Sequence, residues 1–217
     1  MDQDLVITVT EIYGSIQGES SYAGLPCTFV RLTGCPLRCK WCDTAYGFTG
    51  GQQKSIAMIL SEVKAIGLPL VELTGGEPLA QKNCVPLAKK LVEAGYRVLI
   101  ETSGSEDVST LPTEVHIIMD LKAPGSGMSD RNMFKNLDHL KPSDEIKMVL
   151  AHRDDFDWAI SIMEQFKLSE RFNVLLSCAF GLLQPKDLCE WMVAAKVGAR
   201  LNLQQHKYIW HPRAKGV

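Results

Sequence analysis

The amino-acid sequence predicts an α/β fold with a mostly parallel sheet, arranged either as a partial, open barrel or as a doubly wound sheet. Strand-like and helix-like segments alternate along the chain, and this order predicts parallel strands joined by right-handed crossovers. About six strands take part in the alternation, too few for a closed barrel of about eight. Polar or small residues follow most of these strands, where both architectures bind their ligands.

The first elements are two strands that lead to a cysteine-rich loop. Residues 5–13 are rich in β-branched side chains and alternate in polarity, which predicts a strand, and residues 14–24 predict a polar loop. Residues 28–33 predict a second strand. It is followed by Cys35-Pro-Leu-Arg-Cys39-Lys-Trp-Cys42, which holds three thiols at the spacing C-x3-C-x2-C.

The later elements are predicted from periodicity and from residues that end helices. Residues 54–66 carry apolar side chains at helical spacing, and Gly67 follows as a helix terminator. Residues 123–143 match neither pattern and predict an irregular insertion over the active face. No linker or repeat divides the chain, so residues 1–217 predict one domain. The remaining predicted strands are 70–74, 97–102, 115–121, 145–150, 172–176 and 200–203, and the remaining predicted helices are 85–94, 154–167 and 185–197.

The bulk composition predicts a cytoplasmic globular protein without a membrane or nucleic-acid partner. Hydrophobic residues make up 46% of the chain and charged residues 22%, as in ordinary globular domains. No apolar run reaches the ~20 residues of a membrane span, and the start Met1-Asp-Gln-Asp lacks the basic and apolar order of a signal peptide. The net charge of −2 and the lack of a long basic block argue against nucleic-acid binding.

The cysteine loop, residues 35–42, predicts an inorganic centre with an open position. In a reducing compartment, seven cysteines indicate metal binding or catalysis rather than disulfides. A [4Fe–4S] cluster normally takes four thiolates, so three on one loop would leave one iron open to a small ligand. A structural zinc site would need a fourth ligand, usually from a second Cys or His pair, and the sequence has no such pair. Three unrelated buried thiols or part of a zinc site are the alternatives.

The other cysteines lack ligand spacing and are predicted to be core thiols. A fourth ligand from Cys178 would close the cluster and contradict an open iron. The four residues are Cys27, Cys84, Cys178 and Cys189.

Polar or small-residue clusters follow six predicted strands and would share one rim of the sheet. In Thr74-Gly-Gly-Glu-Pro78, the paired glycines would let backbone groups approach a ligand closely. Arg31 is a cation between apolar residues of a strand, where a buried charge needs a partner and an outward-facing side chain is the alternative. Lys147 is a cation near the end of another strand, and a purely structural role is its alternative. The six clusters are the cysteine loop and residues 74–78, 101–104, 120–122, 177–181 and 204–207.

The cysteine spacing, with Trp41 before the last cysteine, and the Gly-Gly-Glu-Pro segment resemble the radical S-adenosylmethionine superfamily. The resemblance implies that the open iron chelates S-adenosylmethionine, which the reduced cluster cleaves to a 5′-deoxyadenosyl radical. It also implies the partial (β/α)6-type open barrel of parallel strands with reduced helix content. In that fold, the strand and loop within residues 1–27 would close over the substrate.

Further segments are similar, in order along the chain, to the 7-carboxy-7-deazaguanine synthase family. That resemblance implies a lyase that rearranges 6-carboxy-5,6,7,8-tetrahydropterin to 7-carboxy-7-deazaguanine with loss of ammonia, in queuosine and other 7-deazapurine biosynthesis. It also implies Mg²⁺, a flavodoxin-like or similar electron donor, and a homodimer. The matching segments include Glu11-Ile-Tyr-Gly-Ser-Ile-Gln-Gly-Glu19, Phe29-Val-Arg-Leu, Cys42-Asp-Thr44, Glu101-Thr-Ser-Gly104 and Gln205-His-Lys207-Tyr.

The same resemblance assigns roles to individual residues. Cys35, Cys39 and Cys42 would hold the cluster, and Thr44 would bind Mg²⁺, which seldom has an all-protein cage. Residues 177–180 depart from the Gln-Pro-containing segment of the family, so their side chains need not make the family's contacts. The implied S-adenosylmethionine contacts are Trp41, Cys42, Asp43, Gly76, Glu101, Ser103, Asp120, Leu121, Lys122, Ser177, Cys178, Ala179 and Phe180, and the implied substrate contacts are Ile16, Gln17, Gly18, Glu19, Arg31, Thr74 and His206.

Two other functions fit parts of this pattern. A small radical enzyme that activates a glycyl-radical enzyme would act on a protein, so its Gln17-Gly-Glu19 loop would face a peptide. A non-catalytic iron–sulfur or zinc module would use the cysteine loop alone. Turnover of the carboxypterin and metal content after anaerobic reconstitution separate these functions.

Overall fold

Nine strands form one open sheet in the computed structural model, which describes residues 5–217. The acidic start Met1-Asp-Gln-Asp lies outside the described residues. The order across the sheet is β3-β1-β2-β4-β5-β6-β7-β8-β9. The strands are β1 Val6–Ile16, β2 Pro26–Leu32, β3 Gln52–Ser55, β4 Leu70–Gly75, β5 Arg97–Thr102, β6 His116–Asp120, β7 Glu145–Leu150, β8 Asn173–Cys178 and β9 Arg200–Leu201, and the helices are α1 Ile56–Ile66, α2 Cys84–Glu93, α3 Arg153–Phe166, α4 Leu168–Arg171, α5 Pro185–Ala194 and α6 His206–Ile209.

The sheet is parallel except at one edge. Strands β2 and β4 to β9 are parallel to one another, whereas β1 pairs antiparallel with β2 and β3 pairs antiparallel with β1. The barrel stays open because β3 and β9 are its two edges. The predicted open, mostly parallel α/β fold with modest helix content is therefore confirmed.

The predicted helix at 54–66 starts two residues later than expected. Lys54 and Ser55 belong to β3, a short polar strand that the helical periodicity does not predict. Ser55 then caps α1 by accepting a hydrogen bond from Met58 N–H at 3.2 Å. The helix ends as predicted at Gly67, whose φ of +78° lies in the left-handed region that glycine adopts without strain. No helix within residues 5–217 is both long and apolar enough to cross a membrane.

Two predicted strands have wrong boundaries, one too short and one too long, because strand length is set by backbone pairing with a neighbouring strand and not by side-chain polarity. Strand β1 continues three residues past residue 13, because its backbone pairs with β2 as far as Ile16 and Pro26. Residues 14–16 therefore belong to a strand and not to the polar loop. Conversely, the predicted strand 200–203 is only Arg200–Leu201, and the segment around His206 forms the short helix α6 rather than a strand and turn.

The parallel strands have two chemically different faces, because side chains alternate along a strand. The outer face packs against the helices and is apolar, and each fully buried aliphatic side chain there stabilises the fold by about 1.5–3 kcal/mol. The inner face carries a small apolar cluster and several buried charged side chains. Examples of the outer face are Val30, Leu32, Val71 and Leu73, the inner cluster contains Cys27, Phe29, Leu70, Leu99 and Ile118, and the buried charges are Glu72, Asp120, Glu145 and Lys147.

Residues 123–143 form short 3-10 turns joined by loops. A buried carboxylate in the first turn of α3 fixes this segment, since Asp155 accepts hydrogen bonds from Gly125 N–H at 2.7 Å and Ala151 N–H at 2.9 Å. The cysteine loop rests on the same segment through a 3.0 Å hydrogen bond from Lys40 N–H to the Ser126 carbonyl. The insertion thereby supports the cysteine loop at the carboxyl ends of the strands.

Candidate active site

The cysteine loop and the glycine pair are in direct contact. A Cβ atom added at Gly76 would lie 2.3 Å from the Gly34 carbonyl oxygen and 2.6 Å from Cys35 Cβ. Gly75 has φ of +142°, and a Cβ atom there would lie 2.1 Å from the Leu32 carbonyl oxygen. Only glycine fits this approach, so the close packing of these two loops explains why both positions are glycine.

The three thiols of the cysteine loop are free and half-buried. Burial raises the pKa of the Cys35 and Cys39 thiols, while the nearby Lys122 ammonium acts in the opposite direction. A metal ligand must be a thiolate, so this cation favours metal binding. Within residues 5–217, no three Cys, His, Asp or Glu side chains converge as ligands of a single ion. A [4Fe–4S] cluster binds its thiolates through different irons, so it fits ligands that stand farther apart.

Cys178 does not join the cysteine loop. It packs in the outer core. Burial, and to a smaller extent the neighbouring Cys189, raises the pKa of its thiol to about 11. The prediction that Cys27, Cys84 and Cys178 are core thiols is confirmed, whereas Cys189 is only partly buried. The fourth ligand that would have closed the cluster is therefore not supplied by Cys178.

The Glu77 side chain stabilises the glycine loop, residues 74–78, a role that the local sequence does not indicate. Its fully buried carboxylate accepts hydrogen bonds from Leu79 N–H at 2.9 Å, Thr102 Oγ1 at 2.9 Å and Ser103 N–H at 2.6 Å. Burial raises the pKa of Glu77, while these donors stabilise its charged form. The side chain therefore ties the loop after β4 to the loop after β5, and it fixes Ser103 at the rim.

Lys147 joins two predicted site residues inside the barrel. Its ammonium, buried on β7, donates to Glu19 Oε2 at 2.8 Å and to Glu101. Burial alone would lower the pKa of Lys147, but the carboxylates of Glu101 and Glu19 outweigh it and hold the pKa well above the ordinary value. Thr74 Oγ1 lies 3.4 Å from Glu101 Oε2. Glu19, Thr74 and Glu101 are thus brought together around one cation.

The loop of residues 17–25 folds into the open side of the barrel. Gln17 is buried and donates from Nε2 to Glu72 Oε2 at 2.9 Å. Gly18 accepts a 2.9 Å hydrogen bond from Gln205 N–H, and a Cβ atom on Gly18 would lie 2.8 Å from His206 Nδ1. Burial lowers the pKa of His206, so the imidazole is neutral near pH 7. The loop and the start of α6 therefore cover the open side of the barrel together.

The segment before α6 also reaches the cysteine loop. Gln204 Nε2 donates to Glu19 Oε1 at 3.0 Å and to Asp43 Oδ2 at 3.3 Å. Lys207 Nζ donates to Asp43 Oδ2 at 2.6 Å. Thr44 is half-buried, and its hydroxyl donates to Asp43 Oδ1 at 3.0 Å. Asp43 and Thr44 therefore sit where the cysteine loop meets the loop of residues 17–25.

The ends of β6 and β8 supply the remaining predicted contacts. Lys122 Nζ pairs with Asp120 Oδ2 at 2.8 Å, and the buried Asp120 Oδ1 has no hydrogen-bond partner among residues 5–217. Ser177 Oγ accepts from Asn202 Nδ2 at 2.9 Å. Phe180 is exposed, and Lys207 Nζ lies 5.0 Å from the centre of its ring. Leu121 and Ala179 are buried, and Trp41 is half-buried.

Two predicted substrate residues stand apart from this group. Arg31 lies on the inner face, but its guanidinium donates to Glu11 Oε1 at 2.8 Å and to Tyr13 Oη at 2.9 Å, which satisfies it within the protein. Ile16 lines a surface groove with Trp210 and Val217. The outward-facing alternative for Arg31 is wrong, and the substrate roles of both residues stay predictions.

Glu72 is not among the predicted site residues, and Glu77, Gln204 and Lys207 are predicted only as members of rim clusters, without an assigned role. Lys147 is predicted as a strand-end cation without an assigned role. For Glu72 and Lys147 a signal was available, since each is a charged residue between two apolar residues of a parallel strand. A strand buried on both faces is otherwise a continuous apolar run. Charges that interrupt such runs indicate an inner face that carries a site.

Comparison with known proteins gives consistent results. The model of the radical S-adenosylmethionine superfamily matches residues 29–170. A 7-carboxy-7-deazaguanine synthase of Koribacter versatilis is 45% identical over 96% of this chain and 99% of its own length, and one of Chlorobaculum tepidum is 40% identical over 100% of both. The crystal structure of QueE from Escherichia coli has a TM-score of 0.76 at 22% identity, covering 93% of this chain and 95% of that one, and shows the same fold.

A more distant structural neighbour is Streptococcus suis SuiB bound to S-adenosylmethionine, with a TM-score of 0.57 at 14% identity over 84% of this chain and 51% of that one. It shares the barrel fold alone. These two relatives carry the same name, and the superfamily whose model matches this chain is the one whose cysteine motif the chain presents. The chain therefore belongs to the 7-carboxy-7-deazaguanine synthase family of the radical S-adenosylmethionine superfamily.

Proposed function

We propose that this radical S-adenosylmethionine enzyme of 7-deazapurine biosynthesis converts 6-carboxy-5,6,7,8-tetrahydropterin to 7-carboxy-7-deazaguanine with release of ammonia. Full-length relatives named for that product support the proposal. The observation that carries it is the hydrogen-bonded network inside the barrel. A pteridine ring presents several N–H and C=O groups, and a buried site recognises them with fixed donors and acceptors. The network consists of Gln17, Glu19, Glu72, Glu101 and Lys147.

The superfamily implies a [4Fe–4S] cluster and S-adenosylmethionine as cofactors. We assign Cys35, Cys39 and Cys42 to the cluster, because they are free thiols on one loop beside a lysine. When bound, these cofactors supply one-electron chemistry that generates an organic radical. The residues of the chain bind and orient the reactants and keep water away from them.

Asp120 is the best supported of the proposed S-adenosylmethionine contacts. A buried carboxylate oxygen without a partner among the described residues is costly, and an ammonium or hydroxyl group of a ligand would satisfy it. Lys122, paired with the other oxygen, holds the Asp120 carboxylate in place. Ser103, fixed by Glu77, and Glu101 are proposed to bind hydroxyl groups of the same cofactor.

The substrate is proposed to lie against the network, with Gln17, Gly18, Glu19, Thr74 and His206 around it. The loop of residues 17–25 and α6 are bonded to each other across the open side of the barrel, which limits the access of water. Water exclusion strengthens the polar contacts inside and protects a reactive intermediate. The neutral His206 can accept or donate one hydrogen bond there.

Mg²⁺ is proposed to bind at Thr44. The Thr44 side chain is half-buried, and its hydroxyl donates its hydrogen to Asp43. The lone pairs of the hydroxyl oxygen therefore remain for a cation. Mg²⁺ prefers oxygen ligands and keeps several waters or substrate oxygens. We expect Thr44→Val to lose Mg²⁺-dependent turnover and Thr44→Ser to retain most of it. Full Mg²⁺-dependent turnover by the valine variant would contradict this assignment.

The experiment that tests the function is anaerobic reconstitution followed by incubation with S-adenosylmethionine, a reductant and the carboxypterin. The expected result is four irons per chain, cleavage of S-adenosylmethionine, and formation of 7-carboxy-7-deazaguanine and ammonia in equal amounts. One bound zinc and no cleavage would indicate a binding module instead. Cleavage without conversion of the carboxypterin would point to a protein-activating radical enzyme.

Two properties of the assembly stay predictions. We propose that a flavodoxin-like protein reduces the cluster and that the enzyme is a homodimer. Reduction by a purified flavodoxin system in place of dithionite tests the first property. Sedimentation equilibrium of the reconstituted enzyme tests the second, and a monomer mass at micromolar concentration would contradict it.

A further inference from the structure

We propose that Glu72 is a positioning residue for the substrate, which acts by fixing the side-chain amide of Gln17 and thereby the Gln17-Gly18-Glu19 turn. The inference rests on the proposed function, because it assumes that this turn contacts the pterin. Glu72 lies in the middle of β4, on the inner face, and only 1% of its surface is exposed. Its strand neighbours are Phe29 on β2 and Leu99 on β5, both apolar.

The hydrogen bonds of Gln17 give its amide a single orientation. Its Nε2 donates to Glu72 Oε2 at 2.9 Å, and its Oε1 accepts from Glu19 N–H at 2.7 Å. A flipped amide would point its NH₂ group at the Glu19 N–H, so that bond would be lost, and it would withdraw the N–H donor from Glu72 Oε2. The two bonds together therefore keep the Gln17 carbonyl facing the backbone of Glu19, and Glu72 holds the amide nitrogen in place.

This orientation is transmitted to the cation of the site. With its N–H held by Gln17, Glu19 extends its carboxylate to Lys147 Nζ at 2.8 Å and to Gln204 Nε2 at 3.0 Å. Lys147 in turn contacts Glu101, next to the predicted substrate contact Thr74. A single chain of buried and partly buried hydrogen bonds thus connects the middle of β4 with the rim of the site.

The fold of the loop does not depend on Glu72. The Gln17 N–H donates to the Leu25 carbonyl at 2.8 Å, and the Ser21 N–H donates to Glu145 Oε1 at 3.0 Å. Gly18 is held separately by Gln205. Removing the Glu72 carboxyl group should therefore release the Gln17 side chain while the loop backbone stays in place. The expected loss is in substrate affinity and not in folding.

The charges around Glu72 add a pH signature. Glu72 faces three charged groups: the Glu19 carboxylate on the loop, the Glu101 carboxylate on β5 and the Lys147 ammonium on β7. It also faces the Cys27 thiol on β2 and the Tyr13 phenol on β1. Burial, and to a smaller extent the Glu101 carboxylate, raises the pKa of Glu72 to about 8. Above that pH a third negative charge would compete for Lys147, while the charged acceptor would bind the Gln17 amide more strongly. Substrate binding should therefore change as the pH rises through about 8.

The test uses the reconstituted full-length enzyme and three variants. Glu72→Met removes the acceptor at similar size, so the KM for the carboxypterin should rise at least about tenfold, the effect of one lost buried hydrogen bond. Glu72→Gln keeps an acceptor without titrating, so its KM should stay within about threefold of wild type and lose the pH dependence near 8. Combining Glu72→Gln with Gln17→Glu keeps a donor and an acceptor in exchanged places and should restore affinity relative to Glu72→Met.

The controls are iron content and the dissociation constant of S-adenosylmethionine, which should match wild type in each variant. An unchanged KM in Glu72→Met would overturn the proposal, as would a pH dependence that persists in Glu72→Gln. If Glu72→Met fails to bind iron, the KM of Glu72→Gln and its pH profile decide together. Failure of the proposed function is distinguishable, because the wild-type enzyme would then not convert the carboxypterin at all.

Discussion

Lys207 Nζ lies 2.6 Å from Asp43 Oδ2, so helix α6 is bonded directly to the cysteine loop. Partial burial would raise the pKa of Asp43, but the Lys207 ammonium outweighs it and lowers the pKa to about 2. Asp43 is therefore a carboxylate throughout the neutral range. The contact joins the predicted cofactor side of the site to the residues that close the barrel.

Lys207→Met is expected to weaken the binding of S-adenosylmethionine by the reconstituted enzyme. Asp43 would lose its charged partner and keep only the hydrogen bonds from Gln204 and Thr44, so its half-exposed side chain would turn more easily toward solvent. A partly exposed ion pair contributes on the order of 1 kcal/mol, which corresponds to about a fivefold higher dissociation constant. The matched control is Lys186→Met on α5, where the lysine is exposed and only loosely paired with Glu190 at 3.7 Å. Equal dissociation constants for both variants would contradict the role given to Lys207.

Gly76→Ala is expected to prevent stable binding of the cluster. The new methyl group would overlap the Gly34 carbonyl and Cys35 Cβ, so the first cysteine would have to move. Overpacking of this kind costs about 1–3 kcal/mol, and here the strain falls on a proposed ligand. Iron content after reconstitution measures the effect. Gly47→Ala, in the turn that follows the cysteine loop, is the control, because its Cβ atom would make ordinary contacts of 3.6 and 3.7 Å. Full iron content in Gly76→Ala would show that the two loops can separate freely.

The parts of the site that can be predicted from sequence are those encoded within one short segment. The cysteine loop and the glycine pair have recognisable spacing, and the strand ends at which they stand follow from periodicity. Glu77 escapes prediction because its partners Thr102 and Ser103 are 25 and 26 residues away. Within Thr-Gly-Gly-Glu-Pro it looks like an ordinary turn residue, and only the packing of β4 beside β5 gives it a function.

The boundaries of the elements show the same limit. Residues 14–16 look like a loop because they are small or polar, and they are a strand because β2 lies beside them. Lys207 looks like a solvated residue of a basic segment, yet it is 8% exposed because Asp43 and the Phe180 ring cover it. Local sequence does not contain these neighbours, which lie more than 150 residues away in the case of Asp43.

Glu77→Gln is expected to destabilise the protein and displace Ser103. The amide would place an NH₂ group where the carboxylate now accepts from Leu79 N–H or Ser103 N–H, leaving two donors face to face. A buried donor without an acceptor costs about 1–3 kcal/mol. Urea denaturation of the cofactor-free protein measures the loss, and Glu114→Gln at an exposed position is the control. A variant as stable as the control would mean that Glu77 does not brace the glycine loop.

Glu72→Gln is expected to stabilise the cofactor-free protein increasingly as the pH rises from about 5 to 8. Burial and the Glu101 carboxylate raise the pKa of Glu72 from 4.5 to about 8 in the folded state. Between these two values the unfolded chain has released the proton and the folded chain has kept it, so the contribution of Glu72 to stability falls as the pH rises. The limiting slope is about 1.4 kcal/mol per pH unit, and glutamine has no such term. Urea denaturation at several pH values should therefore show a difference between variant and wild type that grows up to pH 8 and is then constant. A difference that does not change with pH would mean that Glu72 is already ionised in the folded protein at neutral pH.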